Sequence, residues 1–190
     1  MATPVLNYIS EQDYLEGERK AFEKHEYYKG EVFAMSGALL PHNEIFSNLF
    51  GELATRLRGK NFKPYGSDLR VHIPANTLYT YPDISIICGK VETIDDQFDT
   101  AVNPAVIIEI LSKSTRDYDK GSKFTLYRAI KTLKEYILVD SNNIAVEKFI
   151  RHTDNSWQLT EFKLLTDVFS INTVDIDIKL ADIYERVKFS

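Results

Sequence analysis

Cysteine is almost missing from this chain: Cys88 stands alone among 190 residues. One thiol cannot close an intrachain disulfide, so packing has to hold the fold, and the composition suits a reducing compartment. Placed at the end of an apolar run and before Gly89, Cys88 is expected to be a small buried thiol. Long apolar runs are missing too. Nothing approaches the roughly 18 consecutive apolar residues of a membrane span, and Met1-Ala2-Thr3-Pro4 lacks the basic-then-apolar order of a secretory leader. Both absences point to a cytoplasmic protein with no membrane partner. Positive charge is in deficit as well, with 23 Lys and Arg against 28 Asp and Glu and a net charge of −5. Such a molecule does not coat nucleic acid non-specifically, so any DNA contact must come from a local basic patch. No glycine-x-serine-x-glycine elbow occurs, which leaves a small-molecule hydrolase with little support. The acidic stretch with Glu92, Asp95, Asp96 and Asp99 lacks the ligand spacing and central glycine of a calcium loop and reads as solvated.

What is present is a 44% hydrophobic chain of a length that suits one domain over residues 1–190, without repeats, low-complexity segments or a linker. Ser10-Glu11-Gln12-Asp13 predicts a capped first helix running towards Phe22. Alternation from Glu26 to Met35 around Lys29-Gly30 predicts a hairpin. Ile45, Leu49, Leu53 and Leu57 recur at helical spacing after Pro41-His42-Asn43 and end near Gly59. Short strands are expected at 62–65, 69–73, 145–152 and 157–162, a helix over Ser122–Ile130, and a closing helix over Leu180–Val187. Buried strands are expected around Ile84–Ile87, Val106–Ile110 and Ile137–Val139, which are rich in branched apolar residues. Helices interspersed with such strands argue for an α/β fold, a mixed central sheet flanked by helices.

Two acids interrupt these strands. Glu109 lies inside Ala105-Val106-Ile107-Ile108-Glu109-Ile110-Leu111, and Asp83 inside Tyr81-Pro82-Asp83-Ile84-Ser85-Ile86-Ile87, where Pro82 before it favours a strand start or bulge from which a side chain can reach a cleft. An unpaired carboxylate in an apolar layer is costly, so something must hold each charge: a buried Lys or Arg, or a divalent metal shared between neighbouring strands. Residues two apart in a strand share a face, which sets Glu109 beside Ile107 and Leu111. Lys123 falls on the apolar face of the next helix, three, four and seven residues before Leu126, Tyr127 and Ile130. It snorkels outward, or neutralises Glu109, or points at a metal-bound water or a scissile phosphate. Asp68 alternates with Arg70 and His72 on what reads as a solvent face, Glu31 reads as a solvated hairpin residue, and His42 sits at a helix N-terminus. Arg56, Arg58, Lys60 and Lys63 form one basic cluster and Arg116, Lys120 and Lys123 another.

Pro82-Asp83, Glu109-Ile110-Leu111-Ser112, Ser114-Thr115, Asp117, Lys123 and Tyr127 together resemble the Uma-two family of bacterial endonucleases, in the PD-(D/E)xK restriction-endonuclease-like superfamily. Glu26 with Gly30-Glu31, His42, and Glu135 to Asp140 extend the resemblance over most of the chain. It implies a restriction-endonuclease-like fold, hydrolysis of DNA with Mg2+ or Mn2+, and a homodimer where both strands of a duplex are cut. Asp83, Glu109 and the carbonyl of Ile110 would be the metal ligands. Lys123 would orient the attacking water or steady charge on the phosphate; His42, Glu31, Asp68 and Tyr127 are secondary candidates for the cleft. The superfamily pattern places its lysine two residues after the second acid, where this chain has Leu111, so the lysine has moved to the following helix. The competing expectation is a non-catalytic nucleic-acid or protein-binding module that keeps the fold.

Overall fold

Ser10 fixes where the first helix begins: its hydroxyl accepts from the Asp13 amide at 3.1 Å and closes the first turn of α1 (Glu11–Glu18). The computed structural model describes residues 8–189, so the reading of Met1–Pro4 lies outside the described residues. The helix stops at Glu18, short of Phe22, which is fully exposed and offers no core contact to carry the helix further. Lys29 and Gly30 both take positive φ, 49° and 90°, and turn β1 (His25–Tyr28) into β2 (Glu31–Ala34). α2 (Leu40–Arg56) buries Ile45, Leu49 and Leu53 completely, as their spacing predicts.

The strands β3 (Phe62–Gly66), β4 (Arg70–Ile73), β5 (Leu78–Thr80), β6 (Ile84–Cys88), β7 (Thr100–Ala101) and β8 (Pro104–Leu111) follow. A helical segment then comprises α3 (Arg116–Tyr118), a π turn over Asp119–Lys123 and α4 (Phe124–Tyr127). β9 (Glu135–Asp140), β10 (Val146–Arg151), β11 (Trp157–Phe162), β12 (Val168–Ile171), β13 (Ile176–Lys179) and a short α5 (Leu180–Ile183) end the described chain. One sheet has the order β2-β1-β5-β4-β7, the larger one β11-β10-β9-β8-β6-β3, and β12 and β13 pair separately. β8 and β9 run parallel while the other pairs of the larger sheet are antiparallel, which is the mixed sheet the sequence predicts.

β8 is buried along its whole length because both of its faces are covered. Val106, Ile108 and Ile110 pack with α2, α5 and the β12–β13 hairpin. Ile107 and Leu111 pack instead with Val71, Ile73 and Leu78 of the smaller sheet and with Tyr127. Glu109 shares this second face, so its carboxylate enters the seam between two sheets.

Several expectations from sequence are corrected. The helix after β8 begins at Arg116 rather than Ser122 and ends at Tyr127 rather than Ile130, the closing helix ends at Ile183 rather than Val187, and β5, β7, β12 and β13 are additions. Arg70 and His72 are buried rather than solvent-facing, because Glu11 and Tyr14 of α1 and Tyr79 of β5 cover that side of β4. His72 stacks on Tyr79 at 3.9 Å, and the Arg70 guanidinium bonds Thr100 Oγ1 at 2.9 Å and the Tyr81 hydroxyl at 3.1 Å. Cys88 is exposed rather than buried, since β6 ends there, one residue before the Gly89 turn and beyond the covering layers. No helix among the described residues is long and apolar enough to cross a membrane.

Leu49 lies at the centre of the α2 stripe without exposure. Leu49→Ala should cost about 2–5 kcal/mol of stability, the range for a leucine cavity in a packed core. Urea unfolding followed by circular dichroism measures it. A loss below about 1 kcal/mol would mean that α2 does not pack as described.

Candidate active site

The pairing of β6 with β8 sets Ile84 opposite Ile108, so the next pair along this antiparallel ladder is Asp83 and Glu109. Asp83 lies at the start of β6, immediately before Ile84, as its place after Pro82 favours. It is the last residue of the passage Tyr81-Pro82-Asp83, where the chain leaves β5 in one sheet and enters β6 in the other. Pro82 has no amide hydrogen to offer a ladder, which suits this break between sheets. The backbone then locks the two acids together. The Asp83 amide donates to Glu109 Oε2 at 3.1 Å, and the Ile110 amide donates to Asp83 Oδ2 at 2.7 Å. His42, in the first turn of α2, brings Nε2 to 3.2 Å from the same Oδ2.

Lys123 enters from the helical segment after β8. Its ammonium lies 3.0 Å from Glu109 Oε1, 3.1 Å from Glu26 Oε1 and 3.6 Å from Asp119 Oδ1. The side chain is buried, with 5% of the residue exposed, so it does not snorkel outward. The π turn places it there: one extra residue per turn re-aims the side chains that follow, a device frequent at functional sites. Tyr127, one turn further, donates its hydroxyl to Glu109 Oε1 at 2.8 Å. Glu26 reaches across from β1 of the smaller sheet, held by the Thr80 hydroxyl and, at 3.3 Å, by that of Tyr118. Glu26, Asp119 and Tyr118 were not singled out from sequence as site residues. The available signal was a glutamate within the aromatic strand His25-Glu26-Tyr27-Tyr28.

Three acids, Glu26, Glu109 and Asp119, thus surround one ammonium, and a fourth, Asp83, is bonded through its amide to Glu109. Burial pushes the Glu109 carboxyl up to about 8; Lys123 opposes that rise, while Asp119 and Asp83 add to it. Burial raises Asp119 as well, again against Lys123. For Lys123 burial works against the charge, but Glu109, Glu26 and Asp119 outweigh it and hold the proton more firmly than in water. Acid therefore exceeds base in a desolvated seam, a setting that favours one more cation.

Polar atoms are left over for it. Ser85 Oγ, two residues along from Asp83, and His42 Nδ1 are buried without a partner among the described residues. The described hydrogen bonds to the Asp83 carboxylate all end on Oδ2. Hard carboxylate oxygens with spare acceptor positions, beside polar atoms able to bond a cation's waters, fit magnesium or manganese. Among the described residues no group of three or more His, Cys, Asp and Glu is arranged as a protein-only metal cage, and magnesium keeps several waters and needs few protein ligands.

The other candidates lie elsewhere. Glu31 is exposed on β2, and Asp68 is exposed and pairs with Lys24 at 2.6 Å. In the basic clusters, Arg116 pairs with Asp140 at 2.5 Å, Lys120 with Glu147, and Arg56 with Glu52 at 2.7 Å.

The family model described as "Uma2: Putative restriction endonuclease" matches residues 11–181. Two relatives come from Synechocystis sp. Uncharacterized protein slr1290 is 30% identical over 181 residues, covering 95% of this chain and 94% of that one. Uncharacterized protein sll1609 is 33% identical over 161 residues, covering 85% and 91%. A crystal structure from Anabaena variabilis, reported as "a putative nuclease belonging to DUF820", superposes with a TM-score of 0.76 at 16% identity, over 95% of this chain and 99% of that one. At that identity the likeness is one of fold.

Folded Glu109 keeps its proton up to about pH 8, whereas its ordinary value is 4.5. The folded state therefore binds more protons across that window, and stability falls as pH rises through it. Urea midpoints should decline between about pH 5 and pH 8 in the parent and decline less in Glu109→Gln, which has no proton to lose there. Parallel profiles would show that Glu109 is already ionised in the fold at pH 5.

Proposed function

The chain belongs to the Uma2 family, and from that premise we propose that it is a metal-dependent endonuclease that hydrolyses DNA phosphodiester bonds at Asp83, Glu109 and Lys123. The observation that carries this reading is the meeting of those three side chains, from two strand ends and a π turn, in one seam where acids outnumber bases. Magnesium or manganese held by Asp83, Glu109 and the Ile110 carbonyl would supply Lewis acidity toward a phosphate oxygen and would make a water more acidic.

The chain's own groups do the positioning. The Ile110 amide and His42 fix Asp83, and Tyr127 and Lys123 fix Glu109, so neither carboxylate has to reorganise when substrate arrives. Lys123 brings the positive charge that the phosphate needs as negative charge builds on its oxygens. Glu26 and Asp119 hold that ammonium in place beforehand. Leu111, in the position of the superfamily's usual lysine, is buried among Ile107, Val71 and Tyr127, an apolar layer that could not accept an ammonium. The helical segment offers the lysine a route around that layer.

Incubation with plasmid and single-stranded DNA, with and without magnesium or manganese, tests the reading. Cleavage should require the metal. Lys123→Met should retain manganese binding by calorimetry and lose roughly 10²-fold or more of the single-turnover rate, while Asp83→Asn should lose metal affinity as well as rate. Undiminished cleavage by Lys123→Met would reject its role. A parent that cuts no nucleic acid with either metal would shift the assignment to a non-catalytic binding module.

A further inference from the structure

We propose that Phe33 and Tyr118 form a stacking wall for an unpaired nucleobase at the mouth of the acid cluster, so that the preferred substrate is single-stranded or locally unpaired nucleic acid. The inference rests on the nuclease reading of the site and narrows it. β1 and β2 pair with Glu26 directly opposite Phe33. Direct antiparallel partners project from the same face with Cβ atoms about 4.5–5.5 Å apart, so Phe33 is the strand neighbour of Glu26, whose carboxylate reaches Lys123. Phe33 is 47% exposed, on an edge strand whose four residues are all exposed. On another side of the same carboxylate, Tyr118 donates its hydroxyl to Glu26 Oε2, and its ring centroid lies 5.7 Å from Lys123 Nζ. Tyr118 is 37% exposed. Neither ring belongs to any of the three buried apolar clusters.

Single exposed aromatics are ordinary, but two beside the one carboxylate that holds Lys123 are not scattered. Charge decides what they would bind. The chain carries −5 overall, and Arg116 and Lys120, the other bases of the cluster that contains Lys123, are already paired with Asp140 and Glu147. Phosphate neutralisation, which supplies most affinity for duplex DNA, is therefore weak here. Stacking of a base on an aromatic face needs no net positive charge and tolerates any sequence, but it requires a base free of its own stack. An unpaired base satisfies that condition and the interior of a duplex does not.

Fluorescence anisotropy without divalent metal separates binding from cleavage. The probes are a labelled oligothymidylate of about twelve nucleotides, the same backbone without bases, and a blunt hairpin duplex. The parent should bind the oligothymidylate more tightly than either other probe. Phe33→Ala should weaken that binding about tenfold or more and leave the other two unchanged, while Phe33→Trp should retain it. Equal binding of the base-free strand and the oligothymidylate by the parent, no binding of either, or no effect of Phe33→Ala overturns the inference. Metal-dependent cleavage by the parent, scored separately, keeps the two claims distinct. Cleavage with Phe33→Ala binding normally defeats the stacking wall alone, and Phe33-dependent binding without cleavage defeats the nuclease reading alone.

Discussion

An ammonium and a carboxyl group 3.0 Å apart in the seam between two sheets govern the rest of this molecule. Taking charge out of water is expensive, which is why Glu109 holds its proton well above the usual carboxylate range, and attraction to Lys123 offsets the cost only where geometry and further hydrogen bonds are in place. The structure supplies those bonds from every side. Tyr127 and the Asp83 amide reach Glu109, Glu26 and Asp119 reach Lys123, and Thr80 and Tyr118 secure Glu26. Removing either charge would strand the other, so the centre is also a tie between the sheets. Glu26 comes from the smaller sheet and Glu109 from the larger one.

That tie explains the division of labour among the elements. α2, α5 and the β12–β13 hairpin cover one face of the larger sheet mainly with apolar side chains, and β12 and the turn after it bond the buried Lys148 and Glu135 of that sheet. The opposite face keeps Glu109, and the chain brings its partners there by irregular means: a proline-led passage between sheets for Asp83, a hairpin for Glu26, and a π turn for Lys123. Regular ladders would place these groups at fixed intervals on single faces; the irregularities allow them to converge. A site at the junction of two sheets is where pockets with converging polar groups tend to form.

Legibility in the sequence followed how local each feature is. The cap at Ser10, the Lys29-Gly30 turn, the α2 stripe and the apolar run of β8 depend on residues within one or two turns of each other, and each appears where the pattern places it. Arg70 and His72 misled because alternation reveals which residues share a face, not what covers that face; Glu11 and Tyr14 of α1 do so from more than fifty residues away. Cys88 misled in the opposite direction, since an apolar context does not say where a covering layer stops. Glu26 went unassigned as a site residue because its partners, Lys123 and Thr80, are remote in the chain.

By itself, then, the sequence determined the mixed α/β class, the two acids in apolar surroundings, and the presence of a lysine on the helix that follows them. These rest on hydrophobic periodicity and on the cost of an unpaired buried charge, both of which are written residue by residue. Only the tertiary structure decided that Asp83 stands where the chain passes between two sheets, that a π turn delivers Lys123 to three carboxylates at once, and that the Arg116 and Lys120 charges are spent on Asp140 and Glu147. Those outcomes depend on which surfaces meet when two sheets pack, and Coulomb energies in a desolvated seam turn on ångström distances that no spacing along the chain encodes.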